Sequence, residues 1–155
     1  MWEGKGQMKA LVRSLTALAL ACCGTAAFAA DWRVATESEG AVGYVDADSV
    51  RRDGDRIVFE VTVVFFAPTT DMRRSQARYE GNCAEMTARP TTLTAFRGDG
   101  SSVNVPMDAE GVRRPEPGTN LHIVLTAACT RRFAGPSIPD IEAHAAAARQ
   151  PAGKQ

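Results

Sequence analysis

Apolar and polar residues alternate most regularly between Ile57 and Phe66, and this run dominates the pattern of the chain. At the two-residue period of a β-strand, one face carries only apolar side chains, namely Ile57, Phe59, Val61, Val63 and Phe65. The other face is mixed and includes Thr62. β-branched and aromatic residues prevail, which favours a strand over a helix. We expect the apolar face to pack on a core and the face with Thr62 to be solvated.

Two Asp-Gly pairs between strand-like segments predict two β-hairpins. For the loop Asp53-Gly54, the predicted cross-strand pairs are Arg52 with Asp55, Arg51 with Arg56, and Val50 with Ile57. For the loop Asp99-Gly100, they are Phe96 with Val103 and Thr94 with Val105. Two arginines directly opposite each other repel, so the face with Arg51 and Arg56 is expected to be solvated.

Further strands are predicted at Trp32 to Glu37, Ala41 to Val45, and Ser75 to Cys83. The stretch Asp46-Ala47-Asp48-Ser49 is predicted to be a turn, because Asp and Ser side chains close local hydrogen bonds to the backbone. The alternation from Ser75 onward places Ala77, Tyr79 and Cys83 on one apolar face. Beyond Glu85 the pattern weakens, and Pro90 predicts an edge strand or a break.

The C-terminal third contains a predicted helix that starts after Thr119, a suitable N-cap. Its apolar stripe consists of Leu121, Val124, Leu125 and Ala128, with Cys129 at its end and His122 off the stripe. The predicted fold class is therefore α+β: an antiparallel sheet of about six strands with a C-terminal helix packed on one face.

Residues 133–155 form a predicted tail of different composition. Asp140 can cap a helix over Ile141 to Arg149, and Gln150 to Gln155 are expected to be disordered. The alanine-rich helix has little apolar bulk, so we expect it not to need burial.

The first residues have the organisation of a secretory signal peptide. A basic segment around Lys9 and Arg13 precedes the apolar stretch Leu15 to Ala21, and Ala27-Phe28-Ala29 is a small-x-small cleavage site. Lipidation at Cys22 is the alternative, and only this would anchor the chain in a membrane. The predicted segments are a signal peptide over 1–29, one domain over 30–132 and the tail over 133–155.

Charge and cysteine content limit the classes of function. Without the leader, 15 basic and 17 acidic residues remain, a net charge of −2, which offers no electrostatic footprint for nucleic acid. The two remaining cysteines, Cys83 and Cys129, form an even pair in an exported chain and predict one disulfide. A reactive or metal-binding pair is the alternative, but neither His122 nor His144 has a ligand-like spacing to them.

Several segments together resemble the surface-adhesin protein E family, small exported domains of Gram-negative bacteria. They are Trp32, Gly43-Tyr44-Val45-Asp46-Ala47-Asp48-Ser49-Val50 with the Asp53-Gly54 hairpin, Ser75-x-x-x-Tyr79-x-x-x-Cys83, and Pro117-Gly118-Thr119 with Cys129. The resemblance covers about residues 31–130; Asn82 and Ala88-Arg89-Pro90 depart from the family pattern. It implies an antiparallel sheet with a packed C-terminal helix. For the member after which the family is named, it also implies attachment to extracellular-matrix and plasma proteins.

The leading hypothesis for function is an exported, non-enzymatic binding domain without a cofactor or metal, whose partner is a protein or a cell-envelope component. The chain contains no nucleophile elbow and no phosphate-binding loop. One alternative is a periplasmic ligand carrier or hydrolase that uses Tyr44, Asp46 and Asp48, and another is a structural envelope component. The candidate partner-binding residues are the arginines around the first hairpin and the following strand: Arg51, Arg52, Arg56, Arg73, Arg74 and Arg78.

Overall fold

The computed structural model of this protein describes residues 30–66, 71–107 and 111–149. The predicted signal peptide over residues 1–29, including Cys22, lies outside the described residues. The segment from Gln150 onward, which we expected to be disordered, also lies outside them.

Six strands form one antiparallel sheet, and each strand pairs with the next one along the chain. The strands are β1 (Trp32–Glu37), β2 (Ala41–Asp53), β3 (Arg56–Phe65), β4 (Met72–Asn82), β5 (Thr87–Arg97) and β6 (Ser102–Asn104). Helix α1 (Asn120–Thr130) and helix α2 (Ile141–Arg149) complete the described elements. The predicted α+β class is confirmed.

Helix α1 packs on one face of the sheet as its sequence pattern indicates. The hydroxyl of Thr119 accepts a hydrogen bond from the backbone N–H of His122, which confirms the predicted cap. Val124, Leu125, Ala128 and Cys129 are buried in the helix. They meet a core that includes Val45, Val50, Ile57, Phe59 and Val61 from the sheet. The apolar face of the central strand β3 is therefore buried under α1, as predicted.

A disulfide links the end of α1 to the end of β4. The Cα atoms of Cys83 and Cys129 lie 5.6 Å apart, and the two sulfurs are bonded. This confirms the predicted pair. The link closes a loop of 46 residues, so it restricts the unfolded chain as well as the native one.

Part of the opposite face of the sheet, on β1, β2 and β3, is covered by α2. The carboxylate of Asp140 accepts a hydrogen bond from the N–H of Ala143 at 2.9 Å, which confirms the predicted cap. The expectation that this segment does not need burial is wrong. Ile138, Ile141 and Ala145 are buried in a second core cluster, whose sheet residues are Val42, Tyr44 and Val64 with Trp32, Val34 and Phe66 packed around them. Small alanines suffice here because the sheet supplies the large side chains.

The packing of α2 on this face also determines the environment of Thr62. We expected it to be solvated, but its side chain is 0% exposed, so the expectation is wrong. It lies between Tyr44 of β2 and Gln76 of β4 in the sheet register. Its hydroxyl oxygen has no hydrogen-bond partner among the described residues. A polar residue on a strand does not by itself indicate a solvated face when a second helix packs there.

The predicted turn at Asp46 to Ser49 is instead a bulge within β2. Asp46 lies opposite Glu60 and Arg51 opposite Val58, so four residues of β2 face a single residue of β3. The local hydrogen bonds expected of a turn do form: the carboxylate of Asp46 accepts from the N–H of Asp48, and the hydroxyl of Ser49 donates to the carbonyl of Asp46. They hold the extra residues while the strand continues.

Both predicted hairpins exist, but their registers differ from the prediction. The first has the loop Gly54-Asp55, because Asp53 pairs with Arg56; Arg52 lies opposite Ile57 and Arg51 opposite Val58. Gly54 has a φ of 58° at the first loop position, where a type II′ turn requires glycine. The two arginines are therefore not opposite each other. In the second hairpin, Phe96 pairs with Ser102 and Thr94 with Asn104.

Pro90 lies where an edge strand or a break was expected. β5 continues through it, but β6 pairs only with the segment from Thr94 to Phe96. Outside that segment, Ala88 forms an isolated bridge with Arg113. The expectation of an edge is thus confirmed: on the side away from β4, no continuous strand pairs with β5 at Pro90, so the N–H that proline lacks is not needed for strand pairing.

Candidate protein-binding surface

The face of the sheet that carries α2 continues beyond the helix as an open, polar surface on β3, β4 and β5. Strand pairing places Glu60 beside Arg78, Glu80 beside Arg89, and Gln76 beside Thr94 on this surface. The side chains of Arg78 and Arg89 are 53% and 44% exposed. This half of the sheet is therefore accessible to a partner.

Five arginines share this open surface, and we call them the arginine face: Arg51, Arg56, Arg74, Arg78 and Arg89. Their common side follows from the strand registers. Arg51 pairs with Val58, Arg74 with Val64 and Arg78 with Glu60, and these three partners alternate on one face of β3, which also carries Arg56. Four acidic residues of the strands lie on the same side of the sheet: Asp53, Glu60 and Glu80, which are accessible, and Asp46, which is buried. The five arginines thus outnumber the three accessible carboxylates of these strands.

The arginine face contains four of the six arginines predicted from the sequence. Arg52 points to the other face, where its guanidinium donates to the carbonyl of Cys129 at 3.0 Å. A cation there stabilises the C-terminal end of α1. Arg73 is exposed and lies next to Gly98, at the end of the β4–β5 pair.

The prediction missed Arg89, which belongs to the face because Thr87 and Arg89 alternate with Ala88 and Pro90. Pro90 indicates an interrupted strand at this point. A two-residue period read back from Phe96 through Pro90 would also place Arg89 on the opposite face, because Thr92 pairs with Arg78 but Pro90 with Tyr79, and this irregularity at Thr91 shifts the alternation by one residue.

Weak and exchangeable interactions hold these arginines. Arg89 pairs with Glu80 at 2.9 Å and Arg78 with Glu60 at 3.6 Å. The guanidinium carbon of Arg74 lies 4.0 Å from the centre of the Phe96 ring. Exposed ion pairs contribute only about 0–1 kcal/mol, so the carboxylates of a partner can replace Glu60 and Glu80 at small cost.

A groove of about 570 Å³ lies at the hairpin end of the arginine face. Its polar lining residues on the arginine face are Arg51, Asp53, Arg56, Glu80, Asn82, Thr87 and Arg89, and Arg52 of the other face also borders it. Guanidinium groups bind carboxylates in a planar, two-point geometry, and amide and hydroxyl groups supply further hydrogen bonds. The groove is therefore suited to an acidic side chain or to the carboxylate of a C-terminus.

The second candidate set, Tyr44, Asp46 and Asp48, does not form one site. The hydroxyl of Tyr44 lies under α2, 3.2 Å from the carbonyl oxygen of Ile141 and 3.0 Å from Nδ1 of His144. Burial raises the pKa of Tyr44 to about 12. Its hydroxyl is therefore neutral and engaged within the fold.

Asp46 serves the backbone around the bulge. One carboxylate oxygen accepts from the N–H groups of Asp31 at 3.1 Å and Asp48 at 3.0 Å. Burial raises the pKa of Asp46, and these two hydrogen bonds partly oppose the rise. Asp48 is exposed and lines a shallow depression with Asp46, Arg51 and Arg131. Within the described residues, no cluster of three or more His, Cys, Asp or Glu side chains could hold a metal ion.

The fold and this surface define a small, disulfide-linked α+β domain that presents an open, basic sheet face. A family model described as surface-adhesin protein E matches residues 32–130. The chain therefore belongs to the surface-adhesin protein E family, which confirms the resemblance seen in the sequence. It is accordingly an adhesin-like protein of the exported or surface class. The matched range ends at the last residue of α1 and does not include α2.

Solved structures of Haemophilus influenzae protein E are similar to this chain. Crystal form II of that protein is 16% identical, with 65% of this chain and 88% of the other chain covered and a TM-score of 0.49. Protein E from non-typeable Haemophilus influenzae is 16% identical, with 76% and 86% covered and a TM-score of 0.47. A comparison with curated proteins finds no match. Among the described helices, none is both long and apolar enough to span a membrane.

Proposed function

We propose that this chain is an exported, non-enzymatic binding domain that attaches to a protein of the cell envelope or of the host extracellular space. Membership of a surface-adhesin family supports the binding role. The arginine face supports a partner with an acidic surface, because complementary charge accelerates encounter and fixes orientation. The observation that carries the proposal is the convergence of these arginines on one open half of the sheet.

A catalytic or ligand-carrier role for Tyr44, Asp46 and Asp48 has less support. The hydroxyl of Tyr44 and the carboxylate of Asp46 are both used in hydrogen bonds that hold the fold together. Tyr44 is enclosed beneath α2, whereas Asp46 borders the depression with Asp48, so the two groups do not converge on a common pocket. We therefore assign them a structural role and assign recognition to the arginine face.

Charge reversal on the arginine face tests the proposal. The double variant Arg78→Glu/Arg89→Glu changes two exposed arginines whose pairs are individually weak, so the fold should be retained. The matched control, Arg73→Glu/Arg97→Glu, changes the same number of charges at exposed positions outside the face. Binding is measured on a biosensor coated with extracellular-matrix extract or with envelope fractions of the producing cell.

We expect the association rate of the arginine-face variant to fall by about tenfold at low salt, and the difference to shrink near 150 mM salt, where the Debye length is about 8 Å. The control variant should bind like the wild type. Equal losses in both variants would show that only net charge matters. Binding that is unchanged in both would contradict the assignment of the surface.

A further inference from the structure

Helix α2 covers a patch of the sheet whose composition is typical of interaction hot spots. Tyr44 and Val42 are fully buried beneath it, and Trp32 packs at its margin. Arg74 lies beside the patch and reaches Glu142 of the helix at 3.6 Å. Trp, Tyr and Arg are the residues that most often dominate binding energy at protein interfaces. Here all three surround one helix.

The helix is recognised by a small number of contacts at helical spacing. Ile141, His144 and Ala145, at positions i, i+3 and i+4, face the sheet. The ring of His144 meets the ring of Tyr44 edge to face, with 5.7 Å between the centres. The hydroxyl of Tyr44 bonds to the same turn of the helix. This is the pattern by which a groove binds an amphipathic helix of another protein.

The attachment of α2 is limited in extent. Of its nine residues, only Ile141 and Ala145 are buried. Isolated helices of this length are marginal in water, so α2 is helical because it is docked. The connection from α1 is fixed to β1 by two hydrogen bonds, from the N–H of Ile138 to the carbonyl of Trp32 and from Arg33 to the carbonyl of Gly135. These anchors precede α2, so α2 can leave the sheet while they remain.

We propose that α2 is a displaceable cover over a second binding surface, and that the occupant of this surface is an amphipathic helix of a partner protein with an acidic first turn. In the partner, a large branched apolar residue takes the position of Ile141, a small apolar residue that of Ala145, and a hydrogen-bonding residue that of His144. An acidic residue takes the position of Glu142 against Arg74. The inference goes beyond the proposed function, since this surface shares only Arg74 with the arginine face.

The test uses the full chain and a fluorescent peptide with the sequence of residues 139–149, which begins after the anchored Ile138 and keeps the Asp140 cap. The variant Ala145→Glu places a charge at a site that is 2% exposed and so releases α2. The matched control, Ala147→Glu, places the same charge on the exposed side of the helix. Hydrogen exchange follows the amides of α2 and those of the strands, and fluorescence anisotropy measures peptide binding.

We expect Ala145→Glu to lose protection in α2 alone and to bind the peptide at least tenfold more tightly than the wild type or Ala147→Glu. A peptide carrying Ile141→Asp should not bind. If Ala145→Glu also unfolds the strands, His144→Ala is the second releasing variant, because it removes the ring that contacts Tyr44 and leaves the surface beneath α2 unchanged.

Three results would overturn the inference. The first is a released α2 without a gain in peptide binding. The second is wild-type protection of α2 equal to that of the central strands, which would make the helix an inseparable part of the fold. The third is a dimer formed by exchange of α2, since the occupant would then be a second copy. None of these results depends on Arg78 or Arg89, so they are separable from a failure of the proposed function.

Discussion

The substitution Thr62→Val is expected to stabilise the protein, although it removes a polar group from a strand. The side chain is 0% exposed and its hydroxyl has no partner among the described residues. Burying an unpaired hydroxyl costs about 1–3 kcal/mol in proteins. Valine has nearly the same shape and a strong preference for strands, so most of this cost should be recovered. We expect the free energy of unfolding to rise by about 1 kcal/mol.

Urea denaturation of the disulfide-intact protein measures this difference. A gain of about 1 kcal/mol corresponds to a midpoint about 0.5 M higher for an m-value near 2 kcal/mol/M. The control is Thr92→Val on β5, because Thr92 is exposed and its substitution should change the stability by less than about 0.5 kcal/mol. Thr62→Asp should lose about 3 kcal/mol or more, since it buries an unpaired charge. A loss of stability in Thr62→Val would show that the hydroxyl has a partner and would refute this reasoning.

Two further predictions concern the disulfide and Asp46. Replacing Cys83 and Cys129 by alanine should lower the free energy of unfolding by about 4 kcal/mol, the loop-entropy value for a 46-residue loop, and unchanged urea stability in the double variant would contradict this. The pKa of Asp46 is raised in the folded state, so the native protein binds its proton more tightly than the unfolded chain does, and stability is lost as the pH rises through the folded pKa. Asp46→Asn keeps an oxygen acceptor and does not titrate, so it removes this loss. Its stability relative to the wild type, measured by urea unfolding, should therefore increase as the pH rises from about 3 to about 6. A relative decrease over that range would mean that the pKa of Asp46 is lowered in the folded state.

The sequence was sufficient for the elements whose signals are local. The alternation from Ile57 to Phe65, the Thr119 cap and the apolar stripe of α1 each depend on neighbouring residues alone, and the structure contains all of them. The disulfide followed from the count of cysteines and from their positions beside apolar faces. These signals also led to the correct fold class.

Features set by distant partners were harder to predict. The Asp-Gly pair located the first hairpin but not its loop. The pairing of Arg51 differs from the prediction by two residues, with Val58 in place of Arg56. Because side chains alternate with a period of two, this shift left Arg51 and Arg56 on the same face. In the second hairpin the shift is one residue, so Val103 pairs with Ala95 and lies on the opposite face from the one expected.

The packing of α2 on the sheet could not be predicted from the sequence of α2 alone. An alanine-rich segment has little apolar bulk, and its burial depends on Trp32 and Tyr44, about 100 residues earlier in the chain. The expectation that Thr62 is solvated failed for the same reason. The candidate site was predicted in part: the arginines were identified by their clustering, but only the strand registers show that Arg52 belongs to the other face and that Arg89 belongs to the arginine face.

Site-specific photocrosslinking on the producing cell, alone and mixed with extracellular-matrix extract, tests the central claim most directly. A crosslinking residue at Thr92 lies on the arginine side of the sheet, and one at Ile123 lies on the solvent side of α1, where it is 41% exposed. If the domain binds an acidic partner through the arginine face, Thr92 should yield a discrete crosslinked protein, Ile123 should not, and Arg78→Glu/Arg89→Glu should abolish the product. A product formed from Ile123 alone, or one from Thr92 that survives the charge reversal, would contradict the account.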